Sequence, residues 1–226
     1  ISLIPSSTEI VCALGGESLL VGRSHECDFP ITVKAMPVLT QPKFDPNGTS
    51  CEIDQRVKAL VEGALSVYRV DAELLRSLRP DIIVTQTQCE VCAVAEKDVI
   101  DALAQWSDSS VQVVSLSPNC LQSIWDDILK VGMAMEVPDR AGDLITRLQK
   151  RMALVREKGL GFKSSPTIAC VEWLDPLIAA GNWMPSLVEM AGGLNLLGEA
   201  GKHSPWMSWE ELQAKNPDVI LILPCG

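Results

Sequence analysis

The sequence holds little of what most enzyme chemistry needs. Of its 226 residues only two are histidine, one is tyrosine and three are phenylalanine. Two imidazoles give little general acid–base capacity near neutral pH. The chain has no Gly-x-Ser-x-Gly nucleophile elbow, no Gly-x-x-x-x-Gly-Lys-Ser/Thr phosphate loop, no His-Glu-x-x-His and no Gly-x-Gly-x-x-Gly. These absences favour a non-catalytic role. Basic residues are in deficit, with 19 Lys and Arg against 29 Asp and Glu and a formal net charge of -10. A nucleic-acid surface needs the opposite balance, so nucleic acid is not expected as a partner. No apolar run approaches the roughly 20 residues of a membrane-spanning helix, and no signal-peptide pattern is present. The eight cysteines are irregularly spaced, unlike a small disulfide scaffold, which points to a reducing compartment. The expected location therefore leans to the cytoplasm over the periplasm. A chain that starts at Ile1 inside an apolar run is also compatible with a cleaved export signal or lipid anchor.

What the chain does have is a steady alternation of apolar runs and amphipathic segments. At 47% hydrophobic residues it can bury a full core. Candidate strands at 1–4, 19–22, 67–70, 82–84, 111–115, 167–171 and 219–223 are continuous apolar runs, as in parallel sheets covered on both faces. Between them the spacing predicts helices, among them 9–14 with Ser6, Ser7 and Thr8 as N-cap candidates, 52–61, 71–78 and 121–137. The longest covers 138–158. There Ala141, Leu144, Ile145, Leu148, Met152 and Val155 recur at three- and four-residue steps and form one stripe. Pro138 suits its first turn and Gly159 the position just past its end. The stretches on either side share a pattern. Residues 75–84 and 212–221 both read as helix, Pro-Asp, buried strand, and Gly15-Gly16 and Gly192-Gly193 each close a short helix. The expected fold class is α/β: two Rossmann-like lobes with parallel sheets joined by one long backbone helix, the second lobe truncated. The expected domains are an N-terminal lobe at 1–120, connecting helices at 121–160, and an incomplete C-terminal lobe at 161–226.

Ser2-Leu3-Ile4-Pro5-Ser6-Ser7-Thr8-Glu9, the Leu78-Arg79-Pro80-Asp81-Ile82-Ile83-Val84 strand entry and the long central helix resemble the helical-backbone (class III) periplasmic substrate-binding proteins. These serve ABC importers of cobalamin, ferric siderophores, haem and divalent metals. Three blocks are similar to those of the cobalamin-binding-protein-like branch: Ser24-His25-Glu26-Cys27-Asp28, Cys89-Glu90-Val91-Cys92-Ala93-Val94 and Glu172-Trp173-Leu174-Asp175-Pro176. The resemblance covers essentially the whole chain. It implies a small-molecule ligand held in a cleft between two lobes, with an ABC permease as partner. Members of that family usually continue past the strand matching 219–223 with another helix, a strand and terminal helices.

In parallel α/β lobes, ligands bind at the carboxyl ends of strands. Here those ends carry the polar and reactive side chains. His25, Cys27, Cys89 and Cys92 form one constellation, with four readings. Thiolates and imidazole could ligate zinc or iron, for which Cys-x-x-Cys is a common half-site. A cobalt corrin could take His25 or a thiolate as axial ligand. Cys89 and Cys92 could form a redox dithiol. The two loops could also be unrelated, with His25 hydrogen-bonding its own loop. A second cluster, Glu172, Trp173, Asp175, Asn182, Trp183, His203 and Trp206, suits a large flat ligand, or else simply packs the lobe core. The expected function is non-catalytic binding of a large cofactor-like ligand, cobalamin or another metal chelate. The first lobe would contribute Ser6, Ser7, His25, Cys27, Gln86, Cys89 and Cys92, and the second Trp173, Asp175, Trp183 and His203. The alternative is a zinc or iron protein with its site at His25, Cys27, Cys89 and Cys92. A continuous backbone helix implies small motions and a largely preformed cleft.

Overall fold

Pro5 decides where the first helix begins. Its fixed φ and missing N–H suit a first helical position, and α1 spans Pro5–Ala13. The N-cap is Ile4, extended at φ -145° and with no side-chain cap bond. The helix therefore starts four residues before the expected Glu9, and Ser6, Ser7 and Thr8 lie inside its first turn. The structure, a computed structural model, describes residues 1–63, 67–87, 96–104, 111–161 and 163–224. It divides into two units, the first made of Ile1–Asn47, Gln55–Ser117 and Asp126–Leu144, the second of Gly48–Asp54, Pro118–Trp125 and Ile145–Gly226.

In the first unit the runs at 1–4 and 19–22 are too short to pair along their length. Single parallel bridges join Ser2 to Arg23 and to Val84, and Arg23 to Val38. A 3-10 turn, Glu17–Leu19, takes the first residue of the second expected strand. Next come β1 (Thr40–Pro42), α2 (Ser50–Glu62), β2 (Tyr68–Val70), α3 (Ala72–Leu78), β3 (Ile82–Gln86), α4 (Glu96–Ala104) and β4 (Gln112–Leu116). β3 and β4 pair in parallel, from Ile82 opposite Gln112 to Gln86 opposite Leu116. With the bridges they make a parallel layer in the order Val38, Arg23, Ser2, β3, β4. β1 and β2 pair antiparallel beside it. The core under this layer gathers Ile1, Leu3, Leu39, Val67, Tyr68, Leu75, Ile83 and Val99.

Two helices follow, α5 (Leu121–Ala134) and α6 (Pro138–Leu160). A Cβ on Gly132 would stand 2.5 Å from that of Ala141, so glycine is what lets α5 and α6 approach there. α6 is 23 residues long and passes from the first unit into the second between Leu144 and Ile145. Gly159 lies within its last turn rather than beyond it, and a Cβ there would meet the Ala191 carbonyl at 2.7 Å. The apolar stripe of α6 is buried at Ala141, Leu144 and Ile145. Further along, Leu148, Met152 and Val155 line an apolar groove of ≈ 250 Å³ with Trp125, Leu187 and Met190.

The second unit is built on β5 (Thr167–Leu174), followed by β6 (Leu177–Ala179), α7 (Met184–Met190), β7 (Leu194–Asn195), α8 (Trp209–Lys215) and β8 (Val219–Ile222). β5 pairs in parallel with β7 and β8 and antiparallel with β6. β6 is only three residues long and follows Pro176 directly, too short to carry a recognisable period. The internal repeat is real at backbone level. α3 and α8 are both seven residues long, capped by Asp71 and Ser208, and both leave through a left-handed residue, Arg79 at φ 45° and Asn216 at φ 45°. Each then runs through Pro-Asp into a parallel strand and buries one leucine, Leu75 or Leu212. α1 and α7 likewise both end with a six-residue closing bond, Gly16 N–H to Val11 O and Gly193 N–H to Val188 O. Among the described residues no helix is long and apolar enough to cross a membrane.

Candidate functional site

The first unit's candidate residues split into an exposed set and a sealed set. Ser6 is exposed on the first turn of α1, whereas Ser7 is wholly buried. Ser7 Oγ donates to the Ile4 carbonyl at 3.0 Å and lies 2.6 Å from Ser2 Oγ. Thr8 Oγ1 stands 2.7 Å from Ser2 Oγ and 3.0 Å from Cys27 Sγ. Cys27 has no exposed surface, and its thiol points back toward the Ser2 carbonyl. Cys27 is thus an internal clasp that fastens the 24–28 loop to α1 through Thr8, while Ser7 ties the first turn of α1 to Ser2 and Ile4. Both residues are fully buried.

Arg23 shapes the same loop from beneath. It is buried and donates to the carbonyls of Ser24, Cys27 and Lys34 at 2.9, 3.0 and 3.2 Å, while its Nε has no partner among the described residues. The loop so held presents His25. Its backbone N–H donates to Thr40 Oγ1 at 3.0 Å, its Nδ1 lies 2.7 Å from the same oxygen, and its ring sits 5.5 Å from that of Tyr68. Burial, and then the Arg23 charge, push the His25 pKa down, which favours the neutral ring. Burial pushes the neighbouring Glu26 carboxyl up. Gln86 closes β3 and is buried. Cys89 and Cys92 lie outside the described residues. Among those described, no group of three or more His, Cys, Asp or Glu could hold a metal ion.

At the exit of β4, α5 lays Asp127 over Ser117, whose backbone N–H the carboxylate accepts. Asp127 Oδ2 and Ser115 Oγ are both buried with no partner among the described residues, and Lys130 Nζ donates to the Ser115 carbonyl. Burial raises the Asp127 carboxyl from 3.8 to about 6, against the opposing pull of the Ser117 N–H and Lys130.

In the second unit two loops are laced together. Asn182 N–H donates to the Lys202 carbonyl at 2.6 Å, Gly201 N–H to the Asn182 carbonyl at 2.8 Å and Ala179 N–H to the Pro205 carbonyl at 3.0 Å. Gly181 N–H donates to Ser204 Oγ at 3.1 Å, and that hydroxyl donates in turn to Glu172. The lacing sets the segments of Trp183 and His203 side by side. Trp183 is half-buried as the N-cap of α7. His203 is exposed, its Nδ1 3.2 Å from the Ser204 carbonyl. At the exit of β5, Trp173 Nε1 donates to the Asp175 carbonyl at 3.0 Å, and the Asp175 carboxylate accepts from the Cys51 thiol. Thr40, Tyr68, Arg23, Ser204 and Cys51 are the supporting residues that sequence reasoning missed. Only Arg23 and Ser204 had a signal, adjacency to a candidate block.

The geometry defines a two-unit α/β protein whose candidate residues lie mostly on strand-exit loops. Residues 1–226 match the periplasmic binding protein family model, and the chain belongs to that family. It is similar in fold to the Vibrio cholerae periplasmic vitamin B12 binding protein BtuF (18% identity, TM-score 0.66), covering 98% of this chain and 74% of that one. It is similar to a possible iron-binding periplasmic solute-binding protein of Staphylococcus epidermidis (19% identity, TM-score 0.71, 98% and 75% covered). A periplasmic heme binding protein of Pseudomonas aeruginosa matches at 23% identity with TM-score 0.68, over 99% of this chain and 70% of that one. No curated protein gives a significant match.

Proposed function

We propose that this chain captures a large cofactor-like ligand, a corrinoid such as cobalamin or another metal chelate, and hands it to the permease of an ABC importer. The observation that carries the reading is the laced loop pair of the second unit, with Trp183 on one loop and His203 on the other. An aromatic wall beside a polar group is what a flat macrocycle with polar edges requires. Trp173 and Asp175 at the β5 exit are further proposed contacts of the second unit, and Ser6, His25 and Gln86 are those of the first, with Cys89 and Cys92 proposed from their sequence pattern alone. Proteins of similar fold include a vitamin B12 binding protein, a heme binding protein and a possible iron-binding protein. This is the range of ligands the reading covers.

The test is an equilibrium titration of the 226-residue chain with cyanocobalamin, haemin and a ferric hydroxamate siderophore, followed by tryptophan quenching and the ligand's absorbance. Saturable one-to-one binding of one of them is expected, weakened about tenfold or more by Trp183→Ala and by His203→Ala. Absence of saturable binding for all three would sink the proposal.

A further inference from the structure

Thr40 determines which nitrogen of His25 carries the proton. A hydroxyl has one proton to donate and two lone pairs to receive. Thr40 Oγ1 already accepts the backbone N–H of His25 at 3.0 Å and lies 2.7 Å from Nδ1. If Nδ1 were protonated, Thr40 would receive two N–H groups, and its own proton would have no acceptor among the described residues. If Nδ1 is bare, the Thr40 hydroxyl donates to it and every polar hydrogen of the pair is matched. The neutral ring has a single proton, which then sits on Nε2. Tyr68 fixes the ring plane from the side. Nε2 bonds no described residue and is not among the buried polar atoms left without a partner.

We propose that His25 meets the ligand as a hydrogen-bond donor through Nε2–H, recognising an acceptor oxygen such as a carboxylate or an amide carbonyl, and does not ligate the metal. Metal ligation through Nε2 requires the opposite tautomer, in which Nδ1–H donates outward. Here that position faces a hydroxyl already accepting an N–H. The ligand half of the inference rests on the capture function proposed above; the tautomer half does not.

The experiment has two arms. In the first, long-range proton–nitrogen spectra of the ¹⁵N-labelled full chain are recorded above pH 7, with His203→Gln assigning the two histidines. A bare Nδ1 and a protonated Nε2 on His25 are expected, unmoved by equimolar zinc chloride. A protonated Nδ1, or zinc displacing the Nε2 proton, overturns the proposal. In Thr40→Val the preference should relax toward that of a free imidazole; an unchanged tautomer ratio shows that Thr40 does not set it. In the second arm, whichever of cyanocobalamin and haemin binds is titrated against His25→Gln, which keeps an N–H donor, and His25→Phe, which does not. Affinity within about threefold for Gln and a loss of about tenfold for Phe are expected. Equal losses, or an iron–imidazole spectrum that disappears with both variants, overturn the donor role. Failure of both ligands, and of the ferric siderophore, to bind counts against the capture function and leaves the tautomer result standing.

Discussion

Replacing Asp127 by asparagine removes a charge from a niche that gives it too few partners. One carboxylate oxygen accepts the Ser117 N–H; the other is buried without a partner among the described residues, close to a charge-bearing Lys130 but with a like charge at Asp126. Burial lifts the carboxyl from 3.8 to about 6 in the folded state. At about 1.4 kcal/mol per unit this corresponds to an upper bound of about 3 kcal/mol. Solvent screening at the helix–strand margin lowers it, and about 1–2 kcal/mol is the expected effect. The folded state holds this proton more tightly than the unfolded chain does. The penalty is therefore absent below about pH 3.8, grows as pH rises through the window to about 6, and is complete above it. Asparagine keeps an acceptor for the Ser117 N–H and carries no charge to desolvate. Urea unfolding of both proteins, followed by circular dichroism, should show near-equal stability at pH 4 and an advantage of about 1–2 kcal/mol for Asp127→Asn at pH 7.5. Other titrating groups cancel in the difference between the two proteins. An advantage that does not change with pH, or an asparagine variant weaker at pH 7.5, would refute the reasoning.

Three further outcomes are expected. Gly142 and Gly159 lie in the same helix, yet a Cβ meets nothing within 4 Å at Gly142 and backbone at 2.7 Å at Gly159. Gly142→Ala should raise thermal stability, by about 0.5–1 kcal/mol, and Gly159→Ala should lower it despite the same gain in helix propensity. Arg79 and Asn216 both hold φ 45°; Arg79→Gly should stabilise by about 0.5–1 kcal/mol and Asn216→Gly by less, since asparagine tolerates the left-handed region, as differential scanning calorimetry of the two variants will show. The Cys27 thiol, with no exposed surface, should stay unlabelled by a maleimide in the folded chain while Cys12 and Cys51 react, and should label once urea is added. Labelling of Cys27 at the rate of Cys51 would show the clasp to be open.

The features legible in the sequence are those governed by short stretches of chain. The long helix starts at Pro138 as its residues require, and the seven-residue helices before Pro80 and Pro217 recur with the same left-handed exits. Each depends on a cap, a proline or a glycine a few residues away, so a linear reading captures it. The failures share the opposite cause. The runs at 1–4 and 19–22 have strand composition but are cut by Pro5 and Gly22, and whether four residues become a strand or a single bridge is decided by their neighbours in space. β6 is invisible for the same reason, because its three residues take their conformation from β5 and from the bridge between Ile178 and Trp206.

The site obeys a stricter version of that limit, and His25 and Cys27 illustrate it. They stand two residues apart in one loop, and their chemistry suits them equally as ligands. The fold separates them through partners that no spacing rule contains. Thr8, 19 positions away, draws Cys27 inward, and Thr40, 15 positions away, engages His25 from the side while its ring keeps some exposure. Cysteine pays little to be buried, since its thiol is a weak donor content with a hydroxyl. An imidazole has two nitrogens to satisfy, and when one is met by a threonine the other must find water or a ligand. Residue type therefore identifies which side chains are capable of a role, whereas the count of unmatched polar atoms after folding identifies which remain available for it. By that count the Cys27 thiol is matched by the Thr8 hydroxyl, whereas His25 keeps one ring nitrogen that bonds no described residue.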